Sequence, residues 1–230
     1  MGRFKYIKAL IKLVVRMKTV FLFLFLVMLI SGCAQKAIEP ENKFIEQDIQ
    51  EEVVKIDLTG KSVLMIIAPA NFRDEELLDT GEVLNNHNAH VVVASKGVEQ
   101  AKGSLGAVVN VNKDISDVNV NDYDAIIFVG GPGADVYFND QTALKIAKDS
   151  YNNGKITAAI CIAPVTLANA GVLNGKQATV FSTGKDDIEA KGATYTGDSV
   201  TQDGKIITAN GPNAAKGFGQ AIAKELSKIK

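Results

Sequence analysis

The chain has 230 residues, of which 47% are hydrophobic, so it is long enough for one well-cored domain with additional terminal segments. Six of its 25 lysine and arginine residues lie in residues 1–32, which contain no acidic residue, so 19 basic and 26 acidic residues remain, a net charge of −7. That balance argues against binding to nucleic acid or, through the domain itself, to an anionic membrane surface.

The N-terminal segment predicts export and lipid anchoring. Basic residues precede eleven apolar residues, 20–30, a run that is too short to span a bilayer comfortably and typical of a signal-peptide core. Leu29-Ile30-Ser31-Gly32-Cys33 resembles a lipobox, in which the signal is cleaved before a cysteine that is then lipidated. We therefore predict a signal peptide over 1–32, in which 1–16 could be an over-extended gene start, and an extracytoplasmic lipoprotein anchored through Cys33. An uncleaved signal anchor and a cytoplasmic protein with a misread N-terminus are the alternatives.

The polar residues that follow predict a tether rather than part of a core. Residues 33–58 are rich in Glu, Gln, Lys and Asn and show no sustained hydrophobic period, so the folded domain is expected over 59–230. If Cys33 is acylated, Cys161 is the one cysteine left, and no intramolecular disulfide can form.

From Ser62 onward, short apolar runs alternate with helical segments, the pattern of a mostly parallel sheet covered by helices. Predicted strands cover 62–68, 90–95, 125–129, 155–160 and 177–181. Predicted helices cover 75–86, with Asp74 as its cap, 140–153, a segment that ends near Gly171, 186–191 and 214–228. Residues 97–111 predict a small hairpin or edge excursion, and Asp203-Gly204 predicts a second hairpin within 195–208. In such a fold, ligands bind beyond the carboxyl ends of the strands.

The strand over 155–160 ends in Cys161, with Pro164 three residues later at the expected first turn of a helix. So sharp a turn strains the backbone at its apex and requires small flanking residues, which Ala159 and Ala163 supply. This is the pattern of a nucleophile elbow with cysteine as the nucleophile. The adjoining helix N-terminus should favour thiolate and lower the thiol pKa. The alternative is a buried structural cysteine.

Several loops should converge on Cys161 at one edge of the sheet. They are 69–76, 130–134, 161–164 and 210–213. Glu76 follows the first strand, so its carboxyl group could hydrogen-bond the sulfur of Cys161. Gly130 and Gly131 begin a Gly-Gly-Pro-Gly run whose N–H groups, with that of Ile162, could form an oxyanion pocket.

The fourth loop adds Asn210 and Gly211 as candidate substrate-binding residues. Alternatives remain for the other loops: Glu76 could be a first-turn glutamate favoured by the helix dipole, and the glycine run could be a simple tight turn. A dinucleotide site is a poorer match because the G-x-G-x-x-G spacing is missing.

Four motifs stand in the same order as in a known family. They are Phe72-Arg73-Asp74-Glu75-Glu76-Leu77, Gly130-Gly131 after an apolar strand, Ala159-Ile160-Cys161-Ile162-Ala163-Pro164 and Thr208-Ala209-Asn210-Gly211-Pro212. Over about 61–226 the chain resembles the PfpI superfamily, which includes deglycases, glyoxalase III-type enzymes and archaeal proteases. The resemblance implies a flavodoxin-like three-layer sandwich that forms a homodimer or higher homo-oligomer, with Cys161 as the nucleophile and Glu76 as its hydrogen-bonding carboxyl.

The histidines depart from that family pattern. Protease-like members carry histidine directly after the cysteine, where this chain has Ile162, and deglycase-like members carry one in a later loop, where this chain has Phe181 and Ser182. The two histidines, His87 and His90, are expected on the far side of the sheet.

Without a histidine base, peptide hydrolysis is chemically disfavoured, whereas thiol addition to a reactive aldehyde is easier. We therefore predict a Cys161- and Glu76-dependent protein that acts on small reactive carbonyls or oxidants, as glyoxalases and deglycases do, without metal or cofactor. The alternatives are a non-catalytic redox sensor or protective binding module that works through Cys161 oxidation, and a cysteine peptidase or amidase.

Overall fold

A computed structural model describes residues 56–230 of the chain. The predicted signal peptide, Cys33 and most of the predicted tether lie outside the described residues. The strands in chain order are β1 (Ser62–Ile66), β2 (Ala70–Phe72), β3 (His90–Ser95), β4 (Gln100–Gly103), β5 (Val108–Asn110), β6 (Lys113–Asp114), β7 (Ala125–Phe128), β8 (Ile156–Ile160), β9 (Gln177–Ala178), β10 (Thr194–Tyr195), β11 (Val200–Asp203) and β12 (Ile206–Ala209). The helices are α1 (Asp74–Asn86), α2 (Gln141–Asn152), α3 (Pro164–Asn169), α4 (Lys185–Glu189) and α5 (Ala215–Leu226).

A seven-stranded sheet forms the centre of the fold, in the order β11-β12-β8-β7-β1-β3-β6. Its neighbouring strands pair in parallel except β11, which pairs antiparallel with β12. Strand β8 lies between β7 and β12, with Ala159 opposite Phe128 and Ile160 opposite Ala209. The residue that follows β8 is therefore flanked by the ends of both neighbouring strands.

Helices cover both faces of this sheet, as the fully buried central strands require. Alternate residues of β1 divide between two core clusters: Val63 and Met65 belong to one, Leu64 and Ile66 to the other. The first cluster also holds apolar side chains of α1 and α5, which pack against each other, and the second holds those of α2, α3 and α4. The predicted α/β three-layer sandwich with a mostly parallel sheet is confirmed.

The strand predicted over 177–181 is much shorter than expected. Only β9 forms, and it pairs with β10 in a separate two-stranded sheet. The edge beside β8 is already occupied by the hairpin of β11 and β12, so the chain after β9 makes other bonds. Thr179 donates its backbone N–H to the Thr208 hydroxyl at 2.9 Å instead of joining the main sheet.

A third sheet, with the three strands β2-β4-β5, contains the predicted hairpin over 97–111 and a short strand in what was expected to be a loop. The prediction that Asp74 caps the following helix is wrong, because α1 begins at Asp74 and its preceding residue makes no side-chain cap bond. The Asp74 carboxylate instead accepts hydrogen bonds from the N–H groups of Leu105 at 2.8 Å and Ala107 at 2.7 Å. It thereby holds the turn of the hairpin.

The described chain packs against the core before the first strand. Leu58 is buried, and its N–H donates to the carbonyl of His87 at 2.6 Å. The last residues assigned to the tether therefore contact the domain. No helix within residues 56–230 has the length and apolarity needed to cross a bilayer.

Candidate active site

Cys161 stands at the apex of a sharp turn between β8 and α3. Its φ of 62° is left-handed, a conformation that costs a non-glycine residue about 1–3 kcal/mol and is found mainly at functional sites. The turn is held on both sides: the Cys161 N–H donates to Ala209 O at 2.8 Å, and the Cys161 carbonyl accepts from Phe181 N at 2.6 Å. Pro164 opens α3, and the predicted elbow is confirmed.

Glu76 projects from α1 beneath this turn and is completely buried. Its Oε2 accepts the N–H of Gly130 at 2.9 Å, and its carboxyl group is in contact with the Cys161 thiol. Oε1 has no partner of normal hydrogen-bond geometry among residues 56–230, so the thiol contact is not a well-aligned hydrogen bond. One oxygen of this buried carboxyl group is therefore left without a well-aligned partner in the described part of the chain.

The two groups influence each other's ionisation. Burial raises the pKa of Glu76 to about 7, although hydrogen bonds involving Cys161 and Gly130 oppose the shift. Burial and the charge of Glu76 raise the pKa of the Cys161 thiol to about 12, against the N–H groups of Gly131 and Ile162. The expected lowering of the thiol pKa is therefore wrong in its net direction. The resting charge belongs on the carboxylate, and the sulfur becomes nucleophilic as its proton leaves.

Glycines bring the loop after β7 close to the sulfur. A Cβ on Gly130 would lie 2.6 Å from Cys161 Cβ and 2.8 Å from Glu76 Oε2, so a side chain there would collide with both groups. Gly131 has a φ of 103° and would place a Cβ against the backbone of Arg73. The N–H groups of Gly131 and Ile162, which are predicted to contribute to an oxyanion pocket, lie beside the sulfur and act to lower the thiol pKa.

A cavity of about 420 Å³ opens above the thiol. Its lining residues are Arg73, Glu76, Gly131, Pro132, Cys161, Ile162, Phe181, Thr183 and Pro212. Of the predicted site residues, Gly130 lies behind the lining, and Asn210 and Gly211 do not reach it. Gly211 instead lies under the Phe181 ring, at 3.6 Å from the position of an added Cβ to Cδ2. Pro212 lines the cavity in their place.

The family model that describes the DJ-1/PfpI family matches residues 61–225. The chain belongs to the DJ-1/PfpI family. A protein of Methanocaldococcus jannaschii is 39% identical over 175 residues, which cover 75% of this chain and 85% of the relative. A deglycase of Pyrococcus abyssi is 31% identical over 65% of this chain and 90% of its own length. A glutathione-independent glyoxalase of Caenorhabditis elegans is 29% identical over 72% of this chain and 89% of its own length.

A solved structure is similar over the same region. The ThiJ/PfpI domain protein of Brachyspira murdochii superposes with a TM-score of 0.73 at 30% identity, covering 74% of this chain and all of that protein. The motifs from which the sequence was assigned to this family therefore lie in a matching fold.

This DJ-1/PfpI domain has no histidine at its thiol. His87 ends α1 and places its Nδ1 3.1 Å from Ile56 O, and His90 begins β3 opposite Ser62, at the other end of the sheet from Cys161. The predicted position of both histidines is confirmed. Among residues 56–230, no group of three or more His, Cys, Asp or Glu side chains is placed to hold a metal ion.

Sequence reasoning missed four cavity residues as site residues: Arg73, Pro132, Thr183 and Pro212. Arg73 and Pro212 lie within the quoted motifs and Pro132 lies in the Gly-Gly-Pro-Gly run, whereas Thr183 lies in a loop that no motif marks. In the sequence, Phe181 stands out only because deglycase-like members carry a histidine in that loop. Its exposed side chain in the cavity was not predicted.

Proposed function

We propose that this protein is a glyoxalase- or deglycase-like enzyme that acts on small reactive carbonyls, with Cys161 as its nucleophile and Glu76 as its proton carrier. The observation that carries the proposal is the contact between a buried carboxyl of pKa about 7 and a thiol on a strained turn. The names of the Pyrococcus and Caenorhabditis relatives support the substrate class.

The first chemical step joins the sulfur to the aldehyde carbon. As the S–C bond forms, the thiol proton passes to the Glu76 carboxylate, and the carbonyl electron pair moves onto oxygen, facing the N–H groups of Gly131 and Ile162. Protonated Glu76 then gives its proton to that oxygen, which yields a neutral hemithioacetal. A carboxyl group with a pKa near the working pH can both accept and return a proton.

A 2-oxoaldehyde can continue to a stable product without a cofactor. Glu76 carboxylate removes the hydrogen on the sulfur-bearing carbon, and the hydroxyl proton of that carbon moves to the neighbouring carbonyl oxygen, which gives an enediolate. Glu76 then returns its proton to the neighbouring carbon, and the oxygen on the sulfur-bearing carbon becomes a carbonyl, which gives a 2-hydroxy thioester. Water, deprotonated by the same carboxylate, then cleaves the C–S bond. The products are a 2-hydroxy acid and the free thiol, so the net change is the addition of one water.

Peptide hydrolysis fits this arrangement poorly. An amide must have its leaving nitrogen protonated, and an imidazole usually performs that transfer in cysteine peptidases. Both histidines lie at the opposite end of the sheet, so a single carboxyl would have to serve an unactivated carbonyl. The cysteine peptidase remains the weakest of the candidate functions.

A redox sensor is the second candidate, and the N–H groups at the sulfur favour it. Peroxide would transfer one oxygen to the sulfur and release water, and a second equivalent would give a sulfinate. The N–H groups of Gly131 and Ile162 could hydrogen-bond the added oxygens. This function needs stoichiometric oxidation and no turnover.

We also propose that the domain works outside the cytoplasm, held to a membrane by lipid on Cys33. The order of basic residues, apolar core, small residues and cysteine in residues 1–33 supports this location. Association into a homodimer or larger homo-oligomer remains a prediction that the family resemblance implies.

Methylglyoxal turnover in wild type and Cys161→Ser tests the proposal, with a peptide substrate measured in parallel. We expect aldehyde loss that is abolished in Cys161→Ser. Absence of turnover, together with uptake of peroxide oxygen at Cys161 by mass spectrometry, would replace the enzyme with the sensor. Peptide cleavage that depends on Cys161 would reverse the ranking.

Glu76→Gln separates proton transfer from thiol ionisation. Because the substitution removes a negative charge beside the sulfur, the thiol pKa should fall, yet turnover should fall about 10²- to 10⁴-fold as the proton carrier is lost. Glu82→Gln, an exposed position on the same helix, is the control and should leave both unchanged. A thiol pKa that does not move in Glu76→Gln would remove the coupling from the mechanism.

A further inference from the structure

One wall of the cavity is apolar and contains a large side chain that is poorly shielded from water. Phe181 is 42% exposed and lines the cavity with Pro132, Ile162 and Pro212. Of the large exposed hydrophobic residues in the described part of the chain, it is the one in this lining. An exposed apolar side chain beside a reactive thiol is removed from water when an apolar part of a ligand binds against it, and this burial stabilises the complex.

The position of this wall is fixed relative to the sulfur. Phe181 donates its backbone N–H to the Cys161 carbonyl at 2.6 Å. The backbone from which the ring projects is therefore bonded to the residue that carries the nucleophile. The ring lies over Gly211, and Ile162 packs on Gly184, where an added Cβ would be only 2.8 Å from Ile162 Cδ1. The loops that follow β8, β9 and β12 therefore build one preformed surface beside the thiol.

Apart from the exposed Thr183, the polar groups of the cavity face the sulfur or take part in an ion pair. Glu76 and the N–H groups of Gly131 and Ile162 face the sulfur. Arg73 is tied to Glu75, with Nε 2.8 Å from Oε2 and Nη2 3.0 Å from Oε1. A carbonyl bound at the sulfur thus has its oxygen among polar groups and its substituent beside the apolar wall.

The size of the cavity points the same way. A volume of about 420 Å³ falls in the range of sites that bind drug-sized molecules, so a three-carbon 2-oxoaldehyde would leave most of it to water. We infer that Phe181 is a specificity-determining residue and that the site takes 2-oxoaldehydes with an aryl or bulky alkyl substituent in preference to methylglyoxal. This inference rests on the proposed function.

The experiment compares phenylglyoxal with methylglyoxal in wild type, Phe181→Ala and Phe181→Leu. The ratio of their kcat/KM values is the readout, because the intrinsic reactivity of each aldehyde cancels when one protein is compared with another. We expect the ratio to fall about tenfold in Phe181→Ala and less in Phe181→Leu, since the first removes the aromatic contact and the second keeps an apolar one. Tyr151→Ala, an aromatic residue on α2 that is 40% exposed and away from the cavity, should leave the ratio unchanged.

A second measurement does not depend on turnover. The rates at which N-phenylmaleimide and N-methylmaleimide modify Cys161, located by peptide mass spectrometry, should show the same fall in ratio in Phe181→Ala. If Phe181→Ala lowers the rates of both maleimides equally, or changes neither the aldehyde ratio nor the maleimide ratio, Phe181 only supports the elbow. The specificity inference is then overturned. Wild type could show no methylglyoxal turnover while the maleimide ratio still falls in Phe181→Ala. That result would overturn the proposed reaction but leave an apolar ligand site at Phe181. Absence of aldehyde turnover in wild type, together with a maleimide ratio that Phe181→Ala leaves unchanged, would overturn both the proposed reaction and the specificity inference.

Discussion

At the scale of single residues, Glu76 shifts the thiol pKa of Cys161 in the opposite direction to the shift that a neighbouring histidinium causes. An imidazolium lowers the pKa of a neighbouring thiol, so that the thiolate is already present at neutral pH. A carboxylate raises the thiol pKa. In the proposed mechanism, the nucleophile is therefore formed only as its proton moves to Glu76. A thiol of this kind is protected against indiscriminate reaction and responds to a substrate that occupies the cavity.

Glu76 should also make the stability of the domain depend on pH. Its folded pKa of about 7 lies above the ordinary value of 4.5, so the unfolded chain releases the proton first, and stability falls as pH rises from about 4.5 to 7. Glu76→Gln removes this penalty and should be more stable than wild type at pH 8 by on the order of 3 kcal/mol, with little difference near pH 4. Urea unfolding at pH 4, 6 and 8 measures the effect.

The exposed position Glu82 on the same helix supplies the control for that titration. Glu82→Gln should follow the wild-type pH dependence, because its carboxyl group is not buried. If Glu76→Gln follows it too, burial does not raise the pKa of the Glu76 carboxyl group, and its assignment as proton carrier loses its basis.

At the scale of secondary-structure elements, continuous apolar runs were sufficient to predict the central strands. Strands β3, β7 and β8 lie where 90–95, 125–129 and 155–160 indicated, because buried parallel strands need apolar side chains on both faces. Residues 177–181 alternate polar and apolar side chains up to Val180 and also predict a strand, yet their backbone binds Thr208 and Cys161. Nothing local in that run distinguishes it from a strand.

Site residues could be predicted where the central parallel strands fix their position, and not where tertiary bonds set the path of a loop. Gly130, Gly131, Cys161 and Ile162 closely follow parallel strands, whose carboxyl ends must meet at one edge, and Glu76 lies in the first turn of the helix that follows β1. The other cavity residues depend on the path of long loops, which is set by tertiary bonds. Phe181, Thr183 and Pro212 are placed by the short strand β9 and by the end of β12.

The hairpin of β4 and β5 offers a test of an element held from a distance. Although burial opposes it, hydrogen bonds from Leu105 and Ala107 keep the pKa of Asp74 below its usual value, so the carboxylate stabilises the fold above about pH 4 and loses that effect as pH falls further. Asp74→Asn should cost about 1–3 kcal/mol at pH 7 and less at pH 3. Urea unfolding at both pH values measures this.

Hydrogen exchange locates the effect of that substitution. The amides of Leu105 and Ala107 donate to Asp74, so they should exchange faster in Asp74→Asn while the amides of β8 stay protected. Asp79→Asn, also on α1, is the control. Unchanged protection of both amides would mean that the turn is held by its backbone bonds alone.

At the scale of the whole molecule, charge separates the two ends of the chain. The basic residues of 1–32 are followed by sequence with a net charge of −7, which anionic lipids would repel rather than attract. In the proposed lipoprotein, membrane attachment would therefore come from lipid on Cys33, and more than one acyl chain is needed for stable anchoring. An anchored domain would meet reactive carbonyls and oxidants at the membrane surface before they reach the cell interior.

Replacing Cys33 tests that arrangement. Wild type should fractionate with membranes, and intact mass should show a chain that begins at Cys33 and carries acyl groups. Cys33→Ser should lose the acyl mass and partition away from the membrane fraction or retain its signal segment, while Cys161→Ser, the matched cysteine control, should remain anchored. Because the described fold begins beyond the lipidated end, aldehyde turnover per folded domain should be the same in Cys33→Ser and wild type. A wild-type chain that still begins at Met1 or Met17 would contradict cleavage and with it the extracytoplasmic lipoprotein.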